Sequence, residues 1–425
     1  MKILVVGGGG REHAIVKKLK ESPKHPTLYC CPGNGGITQD AECSNIKATD
    51  IDTMVAYAKQ REIDFVVVAP DDPLVLGMAD AFEEAGFAVF GPRKNAAIIE
   101  GSKAFSKELM KKYHIPTAAY EIFSDADQAL AYVQAQKRFP LVIKADGLAL
   151  GKGVVIAADQ EAAIQAVHSM MLDGAFGKSG STVVIEEFLT GPEVSVLAFT
   201  DGHVVRPMVS SMDHKRALDG DQGLNTGGMG TVAPNPCYTP EIAQWCQDHI
   251  FLPTIQAMKA EGRPFKGCLY FGLMLTPEGP KVIEYNCRFG DPETQVVLPL
   301  LETDLLEIFE AVAQERLEQL EIRWSSRSAV CIVLASGGYP VKYETGKPIT
   351  GCETLEGQND VFLYHAGTKE VNGTLVTSGG RVLGVTAVAD TLPEAIEKSY
   401  RAAEKIHFEN MHIRTDIGQR ALKGC

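Results

Sequence analysis

Between positions 284 and 293 the chain reads Glu-Tyr-Asn-Cys-Arg-Phe-Gly-Asp-Pro-Glu. Alternate side chains of an extended segment share a face, so Glu284, Asn286 and Arg288 point the same way. A carboxylate and a carboxamide oxygen beside a guanidinium suit a divalent cation that holds a polyphosphate. Read alone, the same pattern also fits an edge strand with a solvated polar face. Gly290-Asp291-Pro292 ends the strand in a loop that carries Asp291 and Glu293. A second group lies at 140–156, where a strand bearing Lys144, a glycine-flanked loop bearing Lys152 and a returning strand form a hairpin. Such a hairpin can fold over phosphates, or it can be a glycine turn with solvated lysines. Its spacing is not that of a P-loop. Glu186 and Glu187 close an apolar run over 182–189 and need partners there, a ligand being one explanation. The polar stretch 213–230 is long enough inside a compact domain to be either floppy or functional. Its Asn225-Thr226-Gly227-Gly228 segment suits a backbone cradle for an anion, flanked by Asp213, Lys215 and Arg216.

These residues need a frame. Strand 2–6, the Gly7–Gly10 turn and helix 11–19 make an anion site at a helix N-terminus. A dinucleotide fingerprint would need glycine at 12 or 13, where Glu12 and His13 stand, so a nicotinamide cofactor is discounted. Helix 51–60, strand 64–69, a loop at Pro70–Leu74, helix 76–86 and strand 88–90 continue the alternation. The reading is an α/β unit with a parallel sheet and ligand loops at the strand C-terminal ends. From Ser102 the pattern becomes mixed: helices at 103–113, 125–136, 160–172, 240–261 and 303–320, with strands at 193–199, 203–210, 267–275 and 282–285. From Ser328 it is rich in strands and turns, with strands at 328–335, 361–366 and 381–389, a hairpin at Asn372-Gly373 and helix 392–405. No catalytic constellation is read in this last part, and Met411–Gly418 receives no role. The expected units are 1–102, 103–325 with a mobile lid at about 120–195, and 326–425.

Composition narrows the chemistry. The chain has 425 residues, 45% of them hydrophobic, which suits several soluble domains. No run approaches the length needed to span a bilayer and the N-terminus lacks a signal peptide's apolar region, so a cytoplasmic protein without membrane partners is expected. Lys and Arg number 41 against 54 Asp and Glu, a net charge of −13, which argues against nucleic-acid binding. The ten cysteines follow no metal spacing and are read as reduced thiols. Neither a Ser/His/Asp nor a Cys/His arrangement is evident, so no side-chain nucleophile is expected.

Five stretches in order resemble the phosphoribosylamine–glycine ligase family of the ATP-grasp superfamily: Gly7–Ala14, Pro32–Gly36, Lys144–Gly147, Asn225–Gly230 and Glu284–Glu293. The resemblance implies an N-terminal pre-ATP-grasp domain, a central ATP-grasp fold and a C-terminal β-rich domain, in an enzyme with one activity. It implies that ATP phosphorylates the carboxylate of glycine and that 5-phosphoribosylamine then attacks the acyl phosphate. On the same basis Lys103 and Lys144 contact ATP phosphates, with Lys152 in the hairpin. Glu186, Glu187 and Leu189 meet adenine, and Glu193 the ribose. Glu284 and Asn286 bind Mg²⁺ or Mn²⁺, and Arg288 stabilises the transferring phosphoryl group. Gly8, Gly10, Asp213, Lys215 and Asn225 to Gly228 hold glycine and phosphoribosylamine, with Asp291 and Glu293 near the amines. The family often has Gly-Pro-Glu where this chain has Ala69-Pro70-Asp71, which changes one carboxylate contact. The expected partners are these small molecules, and the chain is expected to act as a monomer. Two alternatives remain: another ATP-grasp ligase that joins a carboxylate to a different amine, such as a purine-pathway carboxylase or transformylase, and a nucleotide sensor, which would not need Lys144, Glu284, Asn286 and Arg288 together.

Overall fold

The computed structural model describes residues 1–148, 153–174 and 177–424. Ile3 to Val6 are fully buried in β1 (Lys2–Gly7), the centre of a parallel sheet with β2 (Thr27–Pro32), β3 (Glu42–Cys43), β4 (Phe65–Val68) and β5 (Ala88–Phe90). The order is β3-β2-β1-β4-β5. Continuous apolar runs of this kind are what a parallel sheet covered on both faces requires. The Gly7–Gly10 turn, the Pro32–Gly36 loop and Pro70 follow the C-terminal ends of β1, β2 and β4, as the alternation implies. One difference is local. The expected loop at Pro70–Leu74 winds into a helix, Asp71–Leu76, with two acids in its first turn where they favour helix formation. Gly77, at φ +103°, then separates it from helix Met78–Glu84.

The segment expected as a lid forms a four-stranded sheet ordered β6-β9-β7-β8: β6 (Tyr120–Phe123), β7 (Leu141–Ala145), β8 (Val154–Ala157) and β9 (Val183–Glu187). It packs on helices Ala126–Ala135 and Gln160–Val167 around an apolar cluster of its own that includes Val133, Ile143 and Ile185. The hairpin's Lys152 lies outside the described residues.

Beyond it, β10 (Glu193–Thr200) carries the short β11 (Val205–Pro207), which is all that forms of the strand expected at 203–210. The polar stretch 213–230 is not one loop. It leaves β12 (Met212–Asp213), folds as a hairpin of β13 (Arg216–Leu218) and β14 (Gln222–Asn225), and returns in β15 (Gly230–Ala233). After the long helical stretch Pro240–Ala260, β16 (Gly267–Thr276) pairs with both β10 and β17 (Gly279–Asn286). The helix expected over 303–320 stops at Ala313, because Glu315 turns the backbone to φ +55°.

The last sheet combines β18 (Ser328–Ser336), β19 (Val361–His365) and β22 (Arg381–Ala389), with the hairpin β20 (Thr368–Val371) and β21 (Thr374–Thr377) beside it. β23 (Met411–His412) joins the far end of β18. The order β12-β15-β18-β22-β19 shows that this sheet takes two strands from the middle of the chain. The C-terminal unit is therefore built around the segment that carries Asn225–Gly228. Among the described residues eight cysteines are free thiols, but Cys237 is disulfide-bonded, a departure from the all-reduced expectation.

Candidate active site

A cleft of about 520 Å³ opens where these sheets meet. β17 forms one wall. Opposite β16 it carries a bulge, since Gly272 faces Glu284 while Leu273 faces Val282, leaving Ile283 unpaired. The bulge turns the Ile283 carbonyl to the Lys144 ammonium, 3.1 Å away. Gly272 opposite leaves room for Glu284, whose Cγ would lie 3.0 Å from a Cβ at that position. Glu284, Asn286 and Arg288 all line the cleft; the alternation accounts for the first two, whereas β17 ends at Asn286 and Arg288 reaches the cleft from the bend that follows.

Lysines gather at one end. Lys144 and Lys107 each stand 3.0 Å from a different oxygen of Glu186, and all three side chains are buried. Burial pulls Lys107 down to about 8 against the raising effect of Glu186. Lys107 also donates to Thr117 Oγ1, which donates to the Val282 carbonyl. Lys103 starts helix Lys103–Lys112, and its ammonium donates to the Gly147 carbonyl at 2.7 Å. Asp146 accepts from the Ala104 amide at 3.0 Å, so the Lys144–Gly147 stretch is bolted to that helix N-terminus. Burial lowers Lys103 as well.

Arg288 stands at the centre. Its Nη2 lies 3.2 Å from Glu100, 3.7 Å from Asp71 and 3.3 Å from Asn286 Oδ1, while its buried Nε finds no partner among the described residues. Asp71 directs its carboxylate at this guanidinium. Burial favours its acid form, but Arg288 and Arg11 outweigh that and hold it ionised. Glu284 behaves similarly: burial pushes its carboxyl up, and Lys215, Lys144, Lys103 and Arg288 together bring it below its ordinary value. Among the described residues no group of three or more acidic, histidine or cysteine side chains forms a closed metal site. The Glu284 carboxylate with the Asn286 amide oxygen instead fits a hard cation that takes its other oxygens from phosphates and water.

Acids and backbone line the other end. Burial and the neighbouring Glu293 drive Asp213 well above the usual carboxylate range. Glu293 is itself raised by burial, and it accepts from Ser195 Oγ at 3.3 Å. Asp291 is different: burial pushes it up, yet Arg381 and Arg11 outweigh burial and keep it ionised. Asn225, Thr226 and Gly227 reach the same space, and Lys215 joins them, 3.4 Å from Glu193 and 3.6 Å from Glu284.

The chain matches three family models in order, the N domain of phosphoribosylglycinamide synthetase at residues 1–100, its ATP-grasp (A) domain at 101–294 and its C domain at 329–420. The chain belongs to the phosphoribosylglycinamide synthetase family. Its three-part architecture is that of the family, with an ATP-grasp domain between an N and a C domain. A phosphoribosylamine–glycine ligase of Caldanaerobacter subterraneus is 49% identical over 98% of this chain and 99% of that protein. The Vibrio vulnificus ligase is 47% identical over 99% of both. The crystal structure of the Thermotoga maritima ligase superposes with a TM-score of 0.84 at 33% identity, covering 98% of this chain and all of that one. The biotin carboxylase domain of a Hydrogenobacter thermophilus 2-oxoglutarate carboxylase shares the fold alone, with a TM-score of 0.76 at 16% identity over 97% and 91% of the two chains.

Within this synthetase-family cleft, most residues expected from sequence come together. Six others do not line it. Glu187 is exposed, accepting from the Ala119 amide and lying 3.7 Å from Lys281, and neither Leu189 nor Glu193 lines the cleft. Gly8 and Gly10 pack the turn: a Cβ on Gly8 would lie 2.4 Å from the Gly33 carbonyl oxygen, and one on Gly10 2.6 Å from Gln295 Nε2. Gly228 sits behind the wall, at φ +114° against Pro292 and Asp213. The cleft also holds residues that sequence reasoning missed: Arg11, Glu100, Lys107, Tyr339 and Arg381. Lys107 was legible, because it lies one helical turn from Lys103. Tyr339 and Arg381 carry no local signal.

Proposed function

We propose that this cleft joins glycine to 5-phosphoribosylamine with hydrolysis of ATP to ADP and phosphate, yielding glycinamide ribonucleotide for purine biosynthesis. What carries the reading is that one cavity unites the buried lysines, the Glu284/Asn286/Arg288 face and the Asn225–Gly227 cradle in a chain similar along its length to such ligases. ATP lies between the lid and β17, with Lys103 and Lys144 on its phosphates, adenine beside Glu186, and ribose toward Glu193, which stands just off the lining, 3.4 Å from Lys215. Glu284 and Asn286 hold Mg²⁺ or Mn²⁺, which neutralises phosphate charge.

A glycine carboxylate oxygen attacks the γ-phosphorus and ADP departs, leaving an acyl phosphate. The amine nitrogen of phosphoribosylamine attacks the acyl carbon, and phosphate leaves. Arg288 faces both steps, since its unpartnered Nε and its planar fork suit an oxygen that gains charge. Asp291, held as a carboxylate, receives the ammonium of glycine. Glu293, raised by burial beside Asp213, takes the proton that the attacking nitrogen sheds. The units 1–102, 103–325 and 326–425, with a lid at about 120–195, serve as working domains of a cytoplasmic monomer.

Phosphate release with ATP, glycine and freshly made phosphoribosylamine, omitting each in turn, tests the reading. Release should require all three. Activity with formate or bicarbonate and none with glycine would overturn it.

A further inference from the structure

We propose that the C-terminal unit completes the acceptor side of this site, with Tyr339 and Arg381 acting as positioning residues that set Gly227 and Asp291. The inference rests on the ligase reading above and deepens it. Gly227 is gripped on both sides of its backbone. Its amide donates to Tyr339 Oη at 3.0 Å, and its carbonyl accepts from Arg381 Nη1 at 2.6 Å. The same Nη1 donates to the Asp291 carbonyl at 2.7 Å, and Nη2 lies 3.3 Å from Asp291 Oδ2. Gln295 Nε2 donates to the other carboxylate oxygen at 2.7 Å, so both Asp291 oxygens have a fixed partner. One guanidinium from β22 thus ties the cradle before β15 to the turn after β17, and Gly227, Asp291, Tyr339 and Arg381 all face the cleft.

The neighbouring glycines make sense only with this clamp in place. Gly227 has no left-handed backbone to explain it, but a Cβ there would fall 2.8 Å from Arg381 Cζ, so the guanidinium packs directly on the glycine. A Cβ on Gly380 would fall 2.3 Å from the ring of Tyr339. Neither clamp residue forms a recorded hydrogen bond or ion pair with Lys103, Lys107, Lys144 or Glu186. Losing the clamp therefore misplaces the acceptor groups and leaves the nucleotide end as it was. A lysine at 381 keeps the charge but cannot span three acceptors with a planar fork.

The test uses the full-length chain with Arg381→Ala, Arg381→Lys and Tyr339→Phe, each substrate being varied in turn while ADP release is followed. In Arg381→Ala, kcat/KM for phosphoribosylamine should fall about 100-fold while KM for ATP stays within about threefold. Arg381→Lys should lose at least about tenfold, and millimolar guanidinium should restore part of the rate to Arg381→Ala while leaving the wild type unstimulated. A fall of less than about threefold in Arg381→Ala, or a parallel loss for ATP and phosphoribosylamine, would overturn the clamp. Should that variant not fold, Tyr339→Phe, which removes one hydroxyl, decides: a selective loss on the acceptor side supports the clamp, and wild-type constants or an unselective loss overturn it. The wild type assayed alongside keeps the two readings apart. A wild type inactive with glycine and phosphoribosylamine overturns the ligase reading, whereas an active wild type with unselective variants overturns the clamp alone.

Discussion

Arg288 occupies the point where both proposed charge-developing steps meet, with two carboxylates behind it and the cleft in front. An ammonium in its place would satisfy Glu100 and still not present two parallel donors. Arg288→Lys should therefore lower kcat by about 100-fold or more while the fold, followed by circular dichroism, is preserved. A drop of less than about threefold would remove Arg288 from the transfer step. Glu284→Gln tests the metal face with almost no change in shape. Turnover should fall at least about 100-fold at limiting Mg²⁺, since the amide donates no negative charge to the cation. Near-normal activity there would show that Glu284 does not hold the metal. Glu284 and Asn286 were legible in the sequence because a strand imposes an alternation of two and brings them to one face, and Arg288 joins them from the bend after the strand. Glu100 was not: its value lies in meeting an arginine far along the chain.

The wall between Asp213 and Asp291 depends on an element that sequence reasoning took for a single loop. The β13–β14 hairpin buries only Ala217, β14 is exposed throughout, and neither strand has an apolar alternation for periodicity to show. It is held from outside, through Arg414, which donates to the Arg216 carbonyl, and through Thr415, whose amide donates to Asp219. That gives Met411–Gly418 the role the sequence left open. Gly228 shows how tight the element is: at φ +114°, an added Cβ would stand 2.5 Å from Pro292 Cδ and 2.7 Å from Asp213 Oδ1. Gly228→Ala should cost about 1–3 kcal/mol locally and raise KM for phosphoribosylamine at least about tenfold, with KM for ATP unchanged. Initial-rate measurements on a folded variant check it.

Across the molecule, the first and last units are locked through two buried histidines. His13 Nδ1 accepts from the His365 amide at 2.8 Å, which leaves its proton on Nε2, 3.2 Å from Asp40. Asn34 Nδ2 donates to both the Gly8 and His365 carbonyls, so the same contact supports the glycine turn. Burial keeps His13 below its ordinary value and takes His365 down to about 3, with Lys17 also opposing a charge there. Unfolded, both rings bind protons near pH 6.5, so below that pH the unfolded chain holds more protons. The stability that His365 contributes is full above pH 6.5 and is lost as pH falls toward 3, at up to about 1.4 kcal/mol per pH unit, and His13 acts in the same direction. Thermal melts from pH 7.5 to 5 should show a falling midpoint, and His365→Gln should make that fall shallower. An unchanged slope in the variant would exclude His365 as a source.

By itself the sequence determined what short-range physics controls: the buried parallel strands, the glycine turns after them, strand 381–389 to the residue, and the shared face of Glu284 and Asn286. Each depends on periods of two or 3.6 or on the backbone freedom of glycine, all visible within a few residues. The tertiary structure alone decided which distant groups meet. It set Lys107 and Lys144 on either side of Glu186, built the last sheet partly from residues 212–233, and brought Arg381 and Tyr339 to Gly227. Such pairings arise from the packing of whole sheets, and no local pattern encodes them.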